Sequence, residues 1–319
     1  MVPLKLKLPE SFFEEEIRCD HKITREMKEV WAVNLDLINE FKRVCDENNI
    51  PFFMFYGSLL GAVRHGGFIP WDDDVDLILS RENYEKLCRI APTAFQYPYF
   101  LQTEYSDVGF ARTFARLHNS DTTGAIGWED NDGFIHYNQG VFIDIFVYDE
   151  VPEDREERES WIRKLEWLRV RAMGFSAWST RYRDSAVKHG GEVCRRIRKA
   201  IAIVAQFVIE RLRIYNPFIV LHTRLSRRYF GKKTGLIADV HCFFIQQSCV
   251  FDESIFAETV YMPFETLSVP VPVGYEHILE ARYGDWRKLV KSESHSRIYD
   301  LDTPYKEYFA RLKRQKKRG

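Results

Sequence analysis

The 319-residue chain has no charge excess to speak of: 46 Lys and Arg stand against 47 Asp and Glu, a formal net charge of −1. That balance argues against general nucleic-acid binding, which needs a basic surface. Apolar runs of the roughly 18 to 20 residues that cross a bilayer are missing too. The opening MVPLKLKLPESFFEEE lacks the apolar core of a signal peptide. The six cysteines (Cys19, Cys45, Cys88, Cys194, Cys242 and Cys249) form no C-x-x-C pair and no metal-ligand spacing, so they read as reduced thiols of a cytosolic protein. No internal repeat is found. Apolar and aromatic residues are ample for a core, at 45% and 15% of the chain. The length exceeds one average domain but suits a single elaborated catalytic unit.

Residues 1–24 show no clear period and read as an arm packed on a catalytic core. From Arg25 to Asn49 the apolar positions Met27, Val30, Trp31, Leu37, Ile38, Phe41, Val44 and Cys45 share one helical face. An apolar run, Phe52 to Tyr56, then ends at Gly57-Ser58. A short helix, Leu59 to His65, follows, with Ser58 at its cap. Beyond Gly66-Gly67 and Pro70-Trp71 comes Asp74-Val75-Asp76-Leu77-Ile78-Leu79, and Ser80 caps a helix over Arg81–Ala91. Residues 98–118 predict two strands, Tyr99–Glu104 and Phe110–His118, the second with Phe110, Arg112, Phe114 and Arg116 on one face. Val141–Tyr148 predicts a strand with a single charge, Asp144, inside an apolar run. At Pro152 the composition shifts: 153–172 is a highly charged helix, and 185–230 is helical and basic, broken at Asn216-Pro217.

The chemistry concentrates between Phe55 and Ser80. In a strand, residues two apart point the same way, so Asp74 and Asp76 present adjacent carboxylates while Val75, Leu77 and Leu79 face the other side. Paired carboxylates resist joint ionisation unless a cation joins them, and oxygen ligands of this kind suit Mg²⁺ or Mn²⁺ together with substrate phosphates. Gly57 allows a close backbone approach, and free amides at the start of the following helix can receive a phosphate. Asp72 and Asp73 read as a solvated acidic loop. Asp144, taken alone, reads as a core carboxylate satisfied by an arginine. Arg64 and His65 are unremarkable cations at a helix end, and Arg112 and Arg116 either bind phosphate or pair with acids.

The block GSLLGAVRHGGFIPWDDDVDL resembles the LicD family, which includes fukutin and fukutin-related protein. Ile143-Asp144-Ile145-Phe146 matches the family's I-D-I-F context. Pro263-Phe264-Glu265 and Tyr283-Gly284-Asp285-Trp286 are similar to its C-terminal elements, with Trp286 in place of the more usual Tyr. The likeness covers about 48–150 and 236–290 and omits the helical stretch. It implies an α/β (α+β) fold, a nucleotidyltransferase-like mixed sheet flanked by helices with a helical insertion. The divisions expected are 1–24 arm, 25–150 catalytic core, 151–232 insertion, 233–300 the remainder of the catalytic domain, and 301–319 a basic tail. It further implies a phosphotransferase with Asp74, Asp76 and Asp144 as catalytic and metal-ligating residues, and Mg²⁺ or Mn²⁺ as cofactor. Gly57, Ser58, Arg64, His65, Arg112 and Arg116 are the implied phosphate-binding set. The implied donor is CDP-linked, CDP-choline first, and the acceptor a hydroxyl of a glycan or lipid-linked glycan. Ribitol or glycerol phosphate transfer and nucleotide transfer to another acceptor stay open. The expected location is cytoplasmic. The uncharged run Ala200–Ile209, flanked by arginines, is either a core helix or an interfacial one on the inner face of the membrane.

Overall fold

The computed structural model describes residues 1–126, 137–185, 204, 208, 211–241, 249–291 and 297–315. The N-terminal arm lies on the core: Phe12 is buried, Leu6 donates its amide to Asp36 Oδ1 at 2.7 Å, and strands β1 (Glu16–Arg18) and β2 (His21–Ile23) form a small hairpin. Helix α1 (Arg25–Glu47) starts at Thr24, whose hydroxyl accepts from the Met27 amide. Its periodic apolar positions are the ones that bury, with Trp31, Leu35, Ile38 and Phe41 fully enclosed. Burial extends beyond the apolar stripe, since Lys28, Asn34, Asp36 and Glu40 of α1 are enclosed as well.

Strand β3 (Phe53–Met54) leads into α2 (Tyr56–His65), then β4 (Asp76–Ser80) and α3 (Arg81–Ala94). The Ser80 hydroxyl accepts from the Asn83 amide and caps α3. Next come β5 (Tyr99–Gln102), β6 (Ala115–Asn119), β7 (Thr123–Ile126) and the long β8 (Val141–Glu150). Helices α4 (Arg155–Ser185) and α5 (Pro217–Ser226) follow, then β9 (Leu236–Asp239) and β10 (Val250–Asp252). The hairpin β11 (Thr259–Phe264) and β12 (Leu267–Pro272), helix α6 (Tyr275–Tyr283), strand β13 (Arg297–Asp300) and helix α7 (Tyr305–Gln315) complete the described chain.

The main sheet runs β10-β9-β8-β4-β3, with β6 also bonded to β8 and β5 to β6. Only β4 and β8 are parallel in it; the other pairs are antiparallel. It is thus a central mixed sheet flanked by helices. Its register puts Asp76 opposite Asp144, and Asp144 opposite Arg116 on the other side. β8 is therefore the spine, carrying its one mid-strand acid where both neighbours supply a charged residue. A separate two-stranded pairing joins β13 to β7, Arg297 beside Ile126 and Asp300 beside Thr123. At the far end of β8, the Arg81 guanidinium donates to both Asp149 oxygens at 2.8 and 2.7 Å and to Ser226 Oγ at 3.2 Å. That buried fork ties α3, β8 and α5 together. A smaller apolar cluster, with Trp161, Leu165, Tyr229 and Val240, seats α4 on the same edge.

Three local expectations are corrected. The stretch Phe110–Phe114 is loop, not strand; β6 begins only at Ala115, and Ala111 sits at φ 54°, a left-handed backbone that a strand cannot contain. The face shared by Phe110, Arg112, Phe114 and Arg116 therefore does not exist as predicted. Helix α2 begins at Tyr56, so Phe55 is its cap and Gly57 and Ser58 lie inside the first turn. Strand β4 begins at Asp76, leaving Asp74 in the extended approach to it. Of Ala200–Ile209, only Val204 and Val208, both helical and exposed, fall within the described residues.

Candidate active site

The acidic run before β4 is not a solvated loop. Its backbone is bolted to α1: Trp31 Nε1 donates to the Asp72 carbonyl and Asn34 Nδ2 to the Asp73 carbonyl, each at 2.9 Å. Asp73 is 4% exposed, and its Oδ2 accepts from the Tyr299 hydroxyl at 2.9 Å. Asp74 Oδ2 accepts from Arg297 Nη2 at 2.8 Å. Carboxylate oxygens of Asp72, Asp73 and Asp74 all lie within 4.8 Å of one another. Asp76 and Asp144 extend the cluster along the paired strands, and Arg116 Nε donates to Asp144 Oδ1 at 2.7 Å. Asp144 is thus paired with an arginine and also stands beside Asp76 in the acidic group.

Electrostatics follow from that crowding. Burial and then the neighbouring charges of Asp74, Asp144 and Asp72 push the Asp76 carboxyl well above the usual range, against a smaller opposing pull from Arg297. Asp72 is raised by burial, by Asp74 and by Asp73. Carboxyls so placed hold protons at a pH where isolated ones would not. Burial opposes the charge of Arg297, but Tyr299, Asp74, Asp73 and Asp144 more than offset it and keep the guanidinium charged. The Phe142 ring lies against both arginines, 3.8 Å from the Arg116 guanidinium carbon and 5.1 Å from that of Arg297. Among the described residues, Arg116 and Arg297 are the cations seen to pair with this group of five acids.

The start of α2 adjoins this cluster. A Cβ on Gly57 would sit 3.0 Å from Asp72 Oδ2, so the missing side chain lets the acid approach the first turn. Ser58 is no cap; its Oγ accepts from the Asp76 amide at 2.9 Å and fixes the turn to β4. The Phe55 amide donates to the Asp76 carbonyl at 2.9 Å, closing the same corner. Phe55 at the cap position offers no side-chain acceptor to the first turn, and amides at a helix start carry a partial positive charge suited to an anion. Tyr56, at φ 45°, starts the helix from a left-handed backbone, held by its hydroxyl on Asp239 Oδ2 (2.5 Å) and by Arg282 stacked 3.9 Å from its ring.

Gly57, Ser58, Asp74, Asp76, Asp144 and Arg116 therefore converge. Arg64 and His65 sit at the other end of α2. The Arg64 guanidinium donates to the carbonyls of Trp286 and Lys288 at 2.8 and 3.1 Å, clasping the segment after α6. Burial and the charges of Arg64 and Arg18 lower His65 to about 4, which leaves it uncharged at neutral pH. Arg112 is buried in the loop before β6. Glu265 anchors the glycine corner: it accepts both Arg18 amino groups, at 2.6 and 2.9 Å, and the Phe68 amide at 3.2 Å. Arg297 and Tyr299 were not anticipated. Their segment has no apolar period and lies beyond the recognisable C-terminal elements, and only the alternation of Arg297 with Tyr299 hinted at a strand.

Two acids on parallel neighbouring strands beside the first turn of a short helix, taken with the likenesses that follow, belong to a transferase. The family described as LicD/FKTN/FKRP, nucleotidyltransferase domain, matches residues 49–177 of this chain. Over 271 residues it is 23% identical to the lipopolysaccharide cholinephosphotransferase LicD of Haemophilus influenzae, spanning 84% of this chain and 93% of that protein. Shorter likenesses, 28% over 120 residues and 29% over 119, connect it to uncharacterized proteins of Rickettsia prowazekii and Rickettsia typhi, of which 39% and 33% are covered.

Proposed function

We propose that the chain is a divalent-cation-dependent phosphotransferase that moves a phosphate-bearing group, phosphocholine first, from a CDP-linked donor to a hydroxyl of a cell-surface glycan such as lipopolysaccharide, teichoic acid or capsule. The observation that carries this is the cluster of acids on β4, β8 and the loop before β4, set against the first turn of α2. The near full-length likeness to a cholinephosphotransferase supports the donor class.

The donor set fits Mg²⁺ or Mn²⁺: hard carboxylate oxygens, in excess over their cationic partners, and pushed toward protonation when no cation joins them. Asp74, Asp76 and Asp144 are the proposed ligands, and Asp72 joins them as a candidate. A bound ion there supplies positive charge to the donor diphosphate. The first turn of α2, at Gly57 and Ser58, takes a donor phosphate on its amides. Asp144, braced by Arg116, accepts the proton of the attacking hydroxyl. The new bond joins the acceptor oxygen to the head-group phosphorus, the diphosphate linkage breaks, and CMP leaves. The catalytic unit spans 25–150 and 233–300 with 151–232 inserted, and it works at the cytoplasmic side. Among the described residues no helix is long and apolar enough to cross a membrane.

The test is incubation with CDP-choline, CDP-ribitol and CDP-glycerol in turn, with a glycan acceptor, scoring CMP. Release of CMP with CDP-choline, lost in EDTA and restored by Mg²⁺ or Mn²⁺, is expected. Full activity in a metal-free preparation overturns the metal assignment, and pyrophosphate released from a nucleoside triphosphate overturns the donor class.

A further inference from the structure

Helix α4 carries two apolar stripes. One, with Trp161, Leu165, Leu168 and Ala172, is buried toward the protein. The other points outward: Trp167, Val170 and Phe175 are 54%, 58% and 39% exposed. Trp167 and Val170, three residues apart, share a face, and Phe175 lies about 80° round the helix from Trp167. Helix α5 continues that side, because the Phe218 ring meets Trp167 at 6.1 Å and Phe175 at 6.2 Å, edge to face. Leu221, one turn further along α5, is 47% exposed, and Leu212 in the approach to it is 66% exposed.

The charges around this apolar strip are mostly positive. Within 163–175 and 211–228, eight Lys or Arg are exposed against a single exposed acid, Glu166. Arg171 lies 5.3 Å from the Trp167 ring, so cation and aromatic are interleaved. In a chain whose net charge is −1, such a concentration is local and directional. A helix face of exposed Trp, Phe and aliphatic residues bordered by arginines matches a bilayer interface, where the apolar side chains enter the acyl boundary and the cations meet phosphate headgroups. No described helix can span the bilayer, so the contact is with its surface.

We propose that this face of α4 and α5 rests on an anionic lipid bilayer. The inference depends on the exposed surface and its charge, and not on the reaction assigned above. The complete chain is sedimented with vesicles of phosphatidylcholine alone and of phosphatidylcholine mixed with phosphatidylglycerol. At low salt, about tenfold greater binding to the anionic vesicles is expected, and rising salt weakens it because the attraction is screened. The double variant Trp167→Ser, Leu221→Ser and the double variant Arg171→Glu, Arg224→Glu each lose that binding while their circular dichroism and melting match the parent protein. Brominated lipid quenches less fluorescence in Trp167→Phe than in the parent. Equal binding to both vesicles, no binding at low salt, or undiminished binding by folded forms of both double variants overturns the proposal. A stable dimer that Trp167→Ser dissociates also overturns it, since a second copy then covers the face.

Discussion

Replacing Arg297 by methionine is the sharpest probe of the acidic site. The guanidinium is 7% exposed, pairs with Asp74 at 2.8 Å, approaches Asp73 at 3.9 Å and flanks Phe142. Methionine keeps most of the apolar stem but removes the charge and the donors. Breaking one side of a buried pair costs about 3–5 kcal/mol. Asp74 is 18% exposed, so water screens part of the loss and the lower figure applies. At roughly 2–4 °C per kcal/mol for a protein of this size, about 3 kcal/mol lowers the melting temperature by about 6–12 °C. Scanning fluorimetry in chelator at neutral pH reads this directly. Two further measurements give the reasoning its sign. Acidification shrinks the defect, because protonated carboxyls no longer require a counter-charge. Added Mn²⁺ raises the melting temperature of Arg297→Met more than that of the parent, because the ion supplies the charge that the variant lacks. A melting temperature within about 2 °C of the parent in chelator, or a defect that grows on acidification, refutes the account.

Three other outcomes are expected. Asp76→Asn abolishes turnover yet leaves the metal-free protein at least as stable at neutral pH: a carboxyl raised in the fold favours folding at low pH and loses that contribution as pH rises, which parallel melts across pH will show. Asp149→Asn costs about 3–5 kcal/mol in urea unfolding, because it strands the buried Arg81. Burial would raise Asp149, but Arg81 and His241 hold it down to about 2, so the parent's contribution is present above the unfolded carboxylate range and fades only as pH falls toward that value. In Gly67→Ala the new methyl falls on the Glu265 carboxylate, displacing it from Arg18 and the Phe68 amide, and the denaturant midpoint drops by the equivalent of about 1–3 kcal/mol with kcat little changed.

Much of the frame was legible because it is written locally. The apolar stripe of α1 and the serine that caps α3 depend on neighbours a few positions away. The same holds for the lone Asp144 among apolar residues of β8, whose strand period is short. The misreadings have a common cause. Asp72 and Asp73 look like a loop in water because nothing nearby in sequence explains them; the partners are Trp31, Asn34, Tyr299 and Arg297, all distant. Arg116 was seen as a candidate on the right strand, but the strand was started too early, because Phe110–Phe114 alternates like a strand while its backbone is left-handed at Ala111. Arg64 gives Nη1 to two carbonyls and Nε to His65, contacts that its place in the sequence did not suggest.

The pairing of β13 with β7 sets an order of events during synthesis. Asp74 and Asp73 precede their partners Arg297 and Tyr299 by 223 and 226 positions. While a nascent chain is extended, the acids emerge with the sheet strand they introduce, and their balancing cation is still untranslated. The half-made core must carry that repulsion until β13 arrives to lie along β7. A message cut short after codon 144 but before codon 297 therefore yields a chain that has Asp73, Asp74, Asp76 and Asp144 but lacks the arginine and tyrosine that meet Asp74 and Asp73.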